Sequence, residues 1–449
     1  MELANVNKVY FLGIGGIGMS ALARYFLWLG KDVSGYDRTK TDLTLELEKE
    51  GADINYEDRA GLIPENLDMI IYTPAIPQNS QQFEFLLKTG VPMYKRAHVL
   101  GVIAKNNFTI AVAGTHGKTT ITTMLAHIFK TAGMNFMALA GGISTNYNTN
   151  FVVSGSPHYV IVEADEYDRS FLHLHPNITV ITSVDADHLD VYGSMEQVED
   201  TFKLFVKNLK PGGVLLTHQN IGILKEIVPG QQTYSIAGIA DYTLEDITIS
   251  EGKYSCKMKH GKDSIPVKFG GAGRHNLENA LAAAAVSLNA GIQWEDIQAA
   301  LTNYRGVKRR FEIILKTDKV VYIDDYAHHP REIKACIDSA IEMFPGRKIT
   351  GVFQPHLFSR TKDFADGFAE ALDRLDRVVV LDIYPARELP LEGVSARIIT
   401  DRIQKAEKHF LHDNELLKFI EQNDFEVLIT MGAGDIDKFV KPIKELLKK

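Results

Sequence analysis

Cysteine is nearly missing from this chain: only Cys256 and Cys336 occur in 449 residues. Two cysteines cannot build a disulfide framework for so long a polypeptide, and neither sits in a CxxC or Cys/His spacing that would hold a metal. Cys336 shares a helical face with Ile333, Ile337 and Ala340, so burial is its expected role. No apolar run is long enough to cross a bilayer, which excludes membrane insertion through a helix. The opening MELANVNKVYFLG has no basic segment followed by an apolar one and a cleavage site, so export is not expected and a cytoplasmic location is. Positive charge is in deficit, with a formal net charge of -8. That argues against a general nucleic-acid binder and leaves small anions open, since these respond to local fields. No repeat of solenoid period and no low-complexity tract is present. What remains is an ordinary globular composition, 45% hydrophobic and 24% charged, in a chain long enough for about three domains.

The most informative segment is TIAVAGTHGKTTITTMLAHIF, residues 109 to 129. Ile110 and Val112 read as a strand, and Ile121, Met124, Leu125 and Ile128 recur at helical spacing. Between them, Gly114, Thr115, His116 and Gly117 form a turn whose backbone N–H groups can close around phosphate oxygens, helped by the following helix N-terminus. Lys118 can reach the terminal phosphates, Thr119 can hold Mg²⁺, and Thr120 completes the first helical turn. Strand, turn and helix together predict a seat for a nucleoside triphosphate. The general pattern has a glycine six residues before the lysine; Val112 stands there, so the loop is a shortened variant.

A second glycine turn lies near the N-terminus. KVYFLGIGGIG matches GxGxxG at Gly13, Gly15 and Gly18, with Gly16 between them. A helix with Leu22, Tyr25, Phe26 and Leu29 on its apolar face follows, Gly30 ends it, and DVSGYD forms a strand ending at Asp37. This βαβ pattern is compatible with NAD, with another nucleotide, and with a tight turn that binds nothing. The segment is too short for two βαβαβ halves, and its end is placed near Asn106. The central segment runs on to a hinge at NYRGVKRRFE, with antiparallel strands expected between 242 and 269. From 307 onward, KVVYIDD, KITGVF, RVVVLDI and FEVLITMG alternate with helices as in a doubly wound sheet.

Strand ends in such sheets face the ligand crevice. YVIVE ends in Glu163, whose carboxylate, paired with Thr119, offers the hard oxygen donors that Mg²⁺ prefers; Asp165 and Glu166 follow and are read as supporting groups. The next strand opens into DADHLD, where His188 with Asp185, Asp187 and Asp190 is compatible with a second cation or with a charged surface cluster. His173 and His175 are expected to pack. Asn276 and Asn279 share one face of a helix, compatible with reading a base or with capping. In the last segment, DDYAHHP brings Asp325, Tyr326 and His328 to one strand end, and FQPHLFSRT brings His356 and Arg360 to another, where they can orient an anionic substrate.

Together, GIGGIGMSALA, GTHGKTT, EADEYDRSF, DADHLD, GRHNLENALAA, RRFE, DDYAHHP and FQPHLFSRT resemble the Mur ligase family of peptidoglycan synthesis across all three segments. The resemblance implies an α/β fold of three domains. These are an N-terminal Rossmann-like domain for a UDP-sugar (1–106), a central P-loop ATPase-like domain with a mixed sheet for ATP (107–306), and a C-terminal Rossmann-like domain for the amino acid and part of the ATP site (307–449). It implies an ATP-dependent ligase with two Mg²⁺ ions. Lys118, Glu163, His188, His328 and Arg360 would then be catalytic, with metal held by Thr119, Glu163 and His188. ATP would meet residues 114–120, Asn276, Asn279, Arg310, Asp325 and Tyr326. The substrate carboxylate would meet His328, His356 and Arg360, and the UDP-sugar Gly13, Gly15, Gly16, Gly18 and Asp37. SFLHLHP and FQPHLFSRT favour joining L-alanine to the lactoyl carboxylate of UDP-N-acetylmuramate over recycling a muropeptide. Leu357 stands where some alanine-adding relatives carry arginine. An NAD-dependent oxidoreductase would explain the first glycine turn but leave GTHGKTT unused, and a nucleotide-gated switch protein would use the loop without ligation.

Overall fold

Short apolar strands alternating with helices sort into three sheets in the computed structural model, which describes residues 3–448 apart from 78, 186–191, 226, 251 and 387. The first sheet is all parallel, with β1 (Lys8–Leu12), β2 (Asp32–Tyr36), β3 (Asp53–Asn55), β4 (Met69–Tyr72) and β5 (Met93–Lys95) in the order β3-β2-β1-β4-β5. Val9 to Leu12 are wholly buried, as expected for a parallel strand covered on both faces. Strand order reverses at β1, so the glycine turn after it opens at the switch point where such sheets bind ligands.

The helix Ile17–Trp28 buries Leu22, Tyr25 and Phe26 as expected, but Leu29 does not belong to that face. The helix stops at Trp28, Gly30 turns left-handed at φ +71, and Leu29 points outward. Arg24 on the same helix is buried: its Nε donates to Glu50 at 2.8 Å and its Nη1 to Asn150 at 2.5 Å. Asn150 in turn donates to the Ile17 carbonyl at 2.7 Å.

Asn150 belongs to the second sheet, made of β6 (Phe108–Ala113), β7 (Phe136–Ser144), β8 (Thr149–Ser154), β9 (Tyr159–Glu163), β10 (Ile178–Ile181), β11 (Val214–His218), β12 (Gln232–Ser235), β13 (Tyr242–Ser250), β14 (Lys253–His260) and β15 (Asp263–Phe269). Their order is β15-β14-β13-β12-β11-β10-β6-β9-β7-β8. β8 runs antiparallel to β7, while β6 pairs parallel with β9 and β10. β14 and β15 are joined by only Gly261 and Lys262, a connection short enough for antiparallel strands alone. The sheet is therefore mixed, and two adjacent interior strands, β6 and β9, carry the phosphate-loop and Glu163 tips. The helix Lys118–Thr131 is buried beyond the one face that Ile121, Met124, Leu125 and Ile128 mark, nearly all round, because β7, β9 and the Trp294–Asn303 helix enclose it. Its threonines are satisfied locally where they can be: Thr123 donates to the Thr120 carbonyl at 2.9 Å and lies 2.8 Å from the Tyr304 hydroxyl.

The third sheet has order β16-β17-β21-β18-β19-β20, with β16 (Glu312–Lys316), β17 (Val321–Asp325), β18 (Ile349–Phe353), β19 (Arg377–Val380), β20 (Glu407–Phe410) and β21 (Val427–Met431). Only β16 is antiparallel. Pro330 opens the helix Pro330–Met343, and Cys336 is buried on it as expected. Asp325 closes β17. It is buried, accepts from the Phe311 N–H at 2.6 Å and the Ala327 N–H at 2.7 Å, and so fixes a segment in which Arg309 and Phe311 take positive φ.

The chain divides into two compact units. The first is Met1–Glu245, Lys257–Val267 and Asn279–Tyr304; the second is Asp246–Cys256, Lys268–Glu278 and Arg305–Lys449. Within the first, the N-terminal and central sheets share one core, with Phe151 of β8 against Tyr25 and Trp28 at ring distances of 6.2 and 6.3 Å. Among the described residues no helix is long and apolar enough to cross a membrane.

A short 3-10 segment, Tyr167–His173, carries Asp168 and Arg169 at φ +53 and +54. His173 and His175, expected to pack, are exposed; the side chains that anchor this stretch are Leu174 and Phe171. Phe171 stacks on Phe205 at 4.5 Å and meets the edge of Phe202 at 5.2 Å. Phe171→Ala should lower stability by about 3–5 kcal/mol, as for other buried aromatic truncations. A urea midpoint that barely moves would show that the turn is held otherwise.

Asp325 gives a second expectation. Burial drives its pKa up to about 7, against the pull of Arg310 and the two N–H groups. Between the unfolded value of about 3.9 and about 7, the folded chain keeps a proton that the unfolded chain has lost. Stability from this group is therefore full at acid pH and declines as pH rises towards 7. Asp325→Asn should flatten that decline in urea midpoints taken from pH 5 to 8; parallel profiles for the two proteins would refute it.

Candidate active site

The phosphate loop is shaped by two left-handed glycines, Gly114 at φ +119 and Gly117 at φ +82. A Cβ on Gly114 would lie 2.1 Å from Thr182 Oγ1, and one on Gly117 would lie 2.5 Å from Asn279 Oδ1, so neither position admits a side chain. The loop rests on the tip of β10. The Thr115 N–H donates to the Ser183 carbonyl at 3.1 Å and the His116 N–H to Ser183 Oγ at 3.1 Å, while the Asp185 N–H donates to Thr115 Oγ1 at 2.9 Å. Thr182 Oγ1 donates to the His116 carbonyl, and His116 Nε2 lies 3.3 Å from Asp185 Oδ2. Thr115 and His116 thus spend their N–H groups on supporting the loop. Those of Lys118, Thr119 and Thr120, in the first helical turn, have no acceptor within the helix, the arrangement that suits an anion.

Lys118 Nζ donates to the Gly114 carbonyl at 2.7 Å and to the two Glu166 oxygens at 2.8 and 3.0 Å. Burial alone would lower the Lys118 pKa, but the charges of Glu166, Asp165 and Glu163 outweigh it and hold the pKa above its ordinary value. Thr119 Oγ1 is 3.0 Å from both oxygens of Glu163, which also accepts from the Gly141 N–H at 2.7 Å. Burial raises the Glu163 pKa against the pull of Lys118. A hydroxyl and a carboxylate meeting at a helix start and a strand end match the oxygen donors that Mg²⁺ takes. Among the described residues no group of three or more His, Cys, Asp and Glu gathers to hold a metal. His188, expected at a second ion, lies with Asp187 and Asp190 outside the described residues.

At the N-terminal turn, Gly13 takes φ +84, and Asp37 is committed to the loop: its Oδ2 accepts from the Gly15 N–H at 2.8 Å and its Oδ1 from the Thr39 N–H at 3.1 Å. Gly16 caps the Ile17–Trp28 helix without a side chain, leaving the first-turn N–H groups facing outward from the glycine turn. Arg96, which the sequence reading did not single out, comes so close to Gly18 that a Cβ there would be 2.8 Å from its Nη1. Its Nη2 donates to Asp165 at 3.3 Å. A cation thus stands beside the helix N-terminus.

In the second unit, Arg309 and Arg310 lie over the Tyr326 ring at 5.3 and 5.1 Å, and Asp324 receives Arg309 Nε at 3.1 Å. His328 Nδ1 lies 3.0 Å from the Tyr326 carbonyl and 3.2 Å from Glu332 Oε2; burial lowers its pKa. The His328 and His356 rings are 6.3 Å apart, so the tips of β17 and β18 do converge. His356 stacks on Tyr384 at 5.8 Å, and Leu357, at φ +67, donates its N–H to the Tyr384 carbonyl at 3.0 Å. Glu388 accepts from the Ser359 N–H at 3.0 Å and its Oγ at 2.5 Å, which pins the short helix Phe358–Asp363 that bears Arg360. Asn276 donates to the Ala272 carbonyl at 2.7 Å, whereas Asn279 abuts Gly117.

Three family models match the chain in succession: "Mur ligase family, catalytic domain" over residues 8–108, "Mur ligase middle domain" over 112–287 and "Mur ligase, glutamate ligase domain" over 309–434. The chain is 45% identical to the UDP-N-acetylmuramate--L-alanine ligase of Parabacteroides distasonis, over 100% of this chain and 99% of that protein. It is 44% identical to the enzyme of that name from Flavobacterium johnsoniae, over the whole of both. Among solved structures, the UDP-N-acetylmuramate-alanine ligase of Thermotoga maritima superposes with a TM-score of 0.86 at 30% identity, over 98% of this chain and 99% of that one. A murein peptide ligase from Psychrobacter arcticus, at 22% identity over 98% of each chain and a TM-score of 0.72, shares the fold. A phosphate loop braced by strand-end carboxylates, in a chain matched end to end by three family models and by these relatives, places the chain in the Mur ligase family.

Proposed function

We propose that the protein joins L-alanine to the lactoyl carboxylate of UDP-N-acetylmuramate with conversion of ATP to ADP and phosphate, in the cytoplasmic assembly of peptidoglycan precursors. The carrying observation is the array of Lys118, Thr119, Glu163 and Glu166 around an open helix N-terminus. A carboxylate does not accept an amine at neutral pH because its oxygen is a poor leaving group. Its oxygen therefore attacks the γ-phosphorus, the β,γ-bridging P–O bond breaks, and ADP leaves behind an acyl phosphate. The alanine amine then attacks the acyl carbon, loses its proton, and expels phosphate from the tetrahedral species.

Such a transfer asks the protein mainly for positioning and charge. The N–H groups of Lys118, Thr119 and Thr120 hold phosphate oxygens, and the Lys118 ammonium offsets charge on the group in flight. Magnesium, held by Thr119 and Glu163 with His188 at a second ion, would supply further positive charge. His328, His356 and Arg360 orient the carboxylates in the C-terminal domain, and Gly13 to Gly18 with Arg96 bind the UDP pyrophosphate in the N-terminal one. Domain limits at 106 and 306 follow from this division of labour.

ADP release should require both UDP-N-acetylmuramate and L-alanine, scanned against other amino acids and a tripeptide. Release driven by the tripeptide in place of L-alanine would reassign the protein to muropeptide recycling, and release that needs no amine would remove ligation altogether. Lys118→Ala should cut turnover by at least about a hundredfold, the loss expected when a charge-stabilising group at a transferring phosphoryl is removed. Binding of UDP-N-acetylmuramate, followed by calorimetry, should stay within about threefold. Near-normal turnover in this variant would remove Lys118 from the chemistry.

A further inference from the structure

Lys118 has no N–H bond to spare. An ammonium carries three donors, and the Gly114 carbonyl and the two Glu166 oxygens lie at 2.7, 2.8 and 3.0 Å, with the Thr115 carbonyl further off at 3.4 Å. The pair is enclosed: the Lys118 side chain is 13% exposed and that of Glu166 4%. Glu166 is itself fixed in place. Its main-chain carbonyl accepts from the Tyr192 hydroxyl at 2.5 Å and from the Arg169 N–H at 2.9 Å, and the left-handed residues Asp168 and Arg169 turn the chain sharply just after it. Glu163, by contrast, is spent on Thr119 and Gly141 and makes no hydrogen bond to the ammonium. Any phosphate oxygen that is to receive an N–H from Lys118 must first take it from Glu166 or from Gly114.

We propose that Glu166 is a built-in counter-ion for the empty phosphate loop, a positioning residue that holds the Lys118 ammonium at the loop until phosphate oxygens displace it. The inference rests on reading the loop as a phosphate seat, and it sets the affinity of that seat. A carboxylate left within reach of the triphosphate competes with it for the same cation. Nucleotide binding is therefore weaker than the loop alone would allow, and an empty loop is not left with an uncompensated buried charge. Taking the carboxylate away should tighten the site, an effect that mere damage to the turn cannot produce, since damage only weakens binding.

The test compares wild type with Glu166→Gln, which keeps the shape and removes the charge. ADP affinity by calorimetry in magnesium buffer should tighten about tenfold or more, the scale expected when a buried cation loses its partner and an anion replaces it. Inorganic pyrophosphate should follow the same order. The empty variant should melt below wild type and should gain more in Tm from saturating ADP. Glu166→Asp, whose carboxylate sits one methylene further back, should fall between the two and serves if the glutamine variant does not fold. Equal or weaker ADP binding by the variant that folds, with wild type binding normally, overturns the counter-ion role. If wild type itself binds neither ADP nor pyrophosphate, the phosphate-seat reading falls and takes this inference with it.

Discussion

A cation enclosed at the start of a buried helix is the constraint around which the central domain is organised. Lys118 follows Gly117, whose left-handed backbone glycine adopts without strain, and it opens a helix whose first N–H groups have no acceptor within the helix. Unopposed, that concentration of positive charge would be costly to enclose. Three acidic side chains at and after the end of β9 answer it, Glu166 by direct contact, Asp165 and Glu163 through their field. The same carboxylates reach outward to other elements. Glu163 ties the loop to β7 through Gly141, and Asp165 receives Arg96 from beyond β5. One electrostatic need thus fixes how the phosphate loop, the carboxylate strand end and the N-terminal glycine turn are held together in the first compact unit.

Much of this follows from parallel strands. Within each sheet their carboxyl ends lie along one edge, so the turns that leave the strands of a sheet deliver their residues to the same side of it. β6 delivers the glycine turn, β9 the acids, β10 the Thr182–Ser183 support, and β17 and β18 the two histidine-bearing tips. Buried apolar strands such as Ile110 to Ala113 and Val160 to Val162 make the edge rigid, and the chemistry is left to short turns whose conformations are enforced by glycine or by hydrogen bonds. Asp325 supports a strained turn in the second unit as glycine does in the loop: it accepts from the N–H of Phe311, a residue in the left-handed region, and from that of Ala327.

The parts legible in the sequence are those whose signal is local. Strand, turn and helix around Lys118 could be read from spacing, and Glu163 from its place at the end of an apolar run. Glu166 could not be separated from Asp165, because the choice between them is made by the left-handed turn at Asp168 and Arg169, for which neither residue type gives a cue. Arg96 escaped because its value lies in a through-space approach to Gly18, far away in sequence. Helical spacing put Asn276 and Asn279 on one side of their helix without revealing what each would meet, and the structure gives them different neighbours, Ala272 and Gly117. The histidines flanking Leu174 failed for a related reason: alternation names a buried face and an exposed one, and the aliphatic residue took the buried one.

The Lys118–Glu166 pair also bears on why an enclosed ion pair is retained where an apolar pair would cost less. Replacing a buried salt bridge by well-packed hydrophobic side chains is often neutral or stabilising, so stability alone does not account for it. A loop that must admit a highly charged ligand and then release its product is served by a cation that always has a partner, first protein and then phosphate. Without Glu166 the protein would bind nucleotide more tightly and give up ADP more slowly; without Lys118 the acids beside it would repel the ligand they frame. Opposed charges of similar reach keep both states of the loop accessible, and that balance requires the Glu166 main chain to be anchored, as it is through its carbonyl by Tyr192 and Arg169, so that the carboxylate stays behind when its cation turns to phosphate.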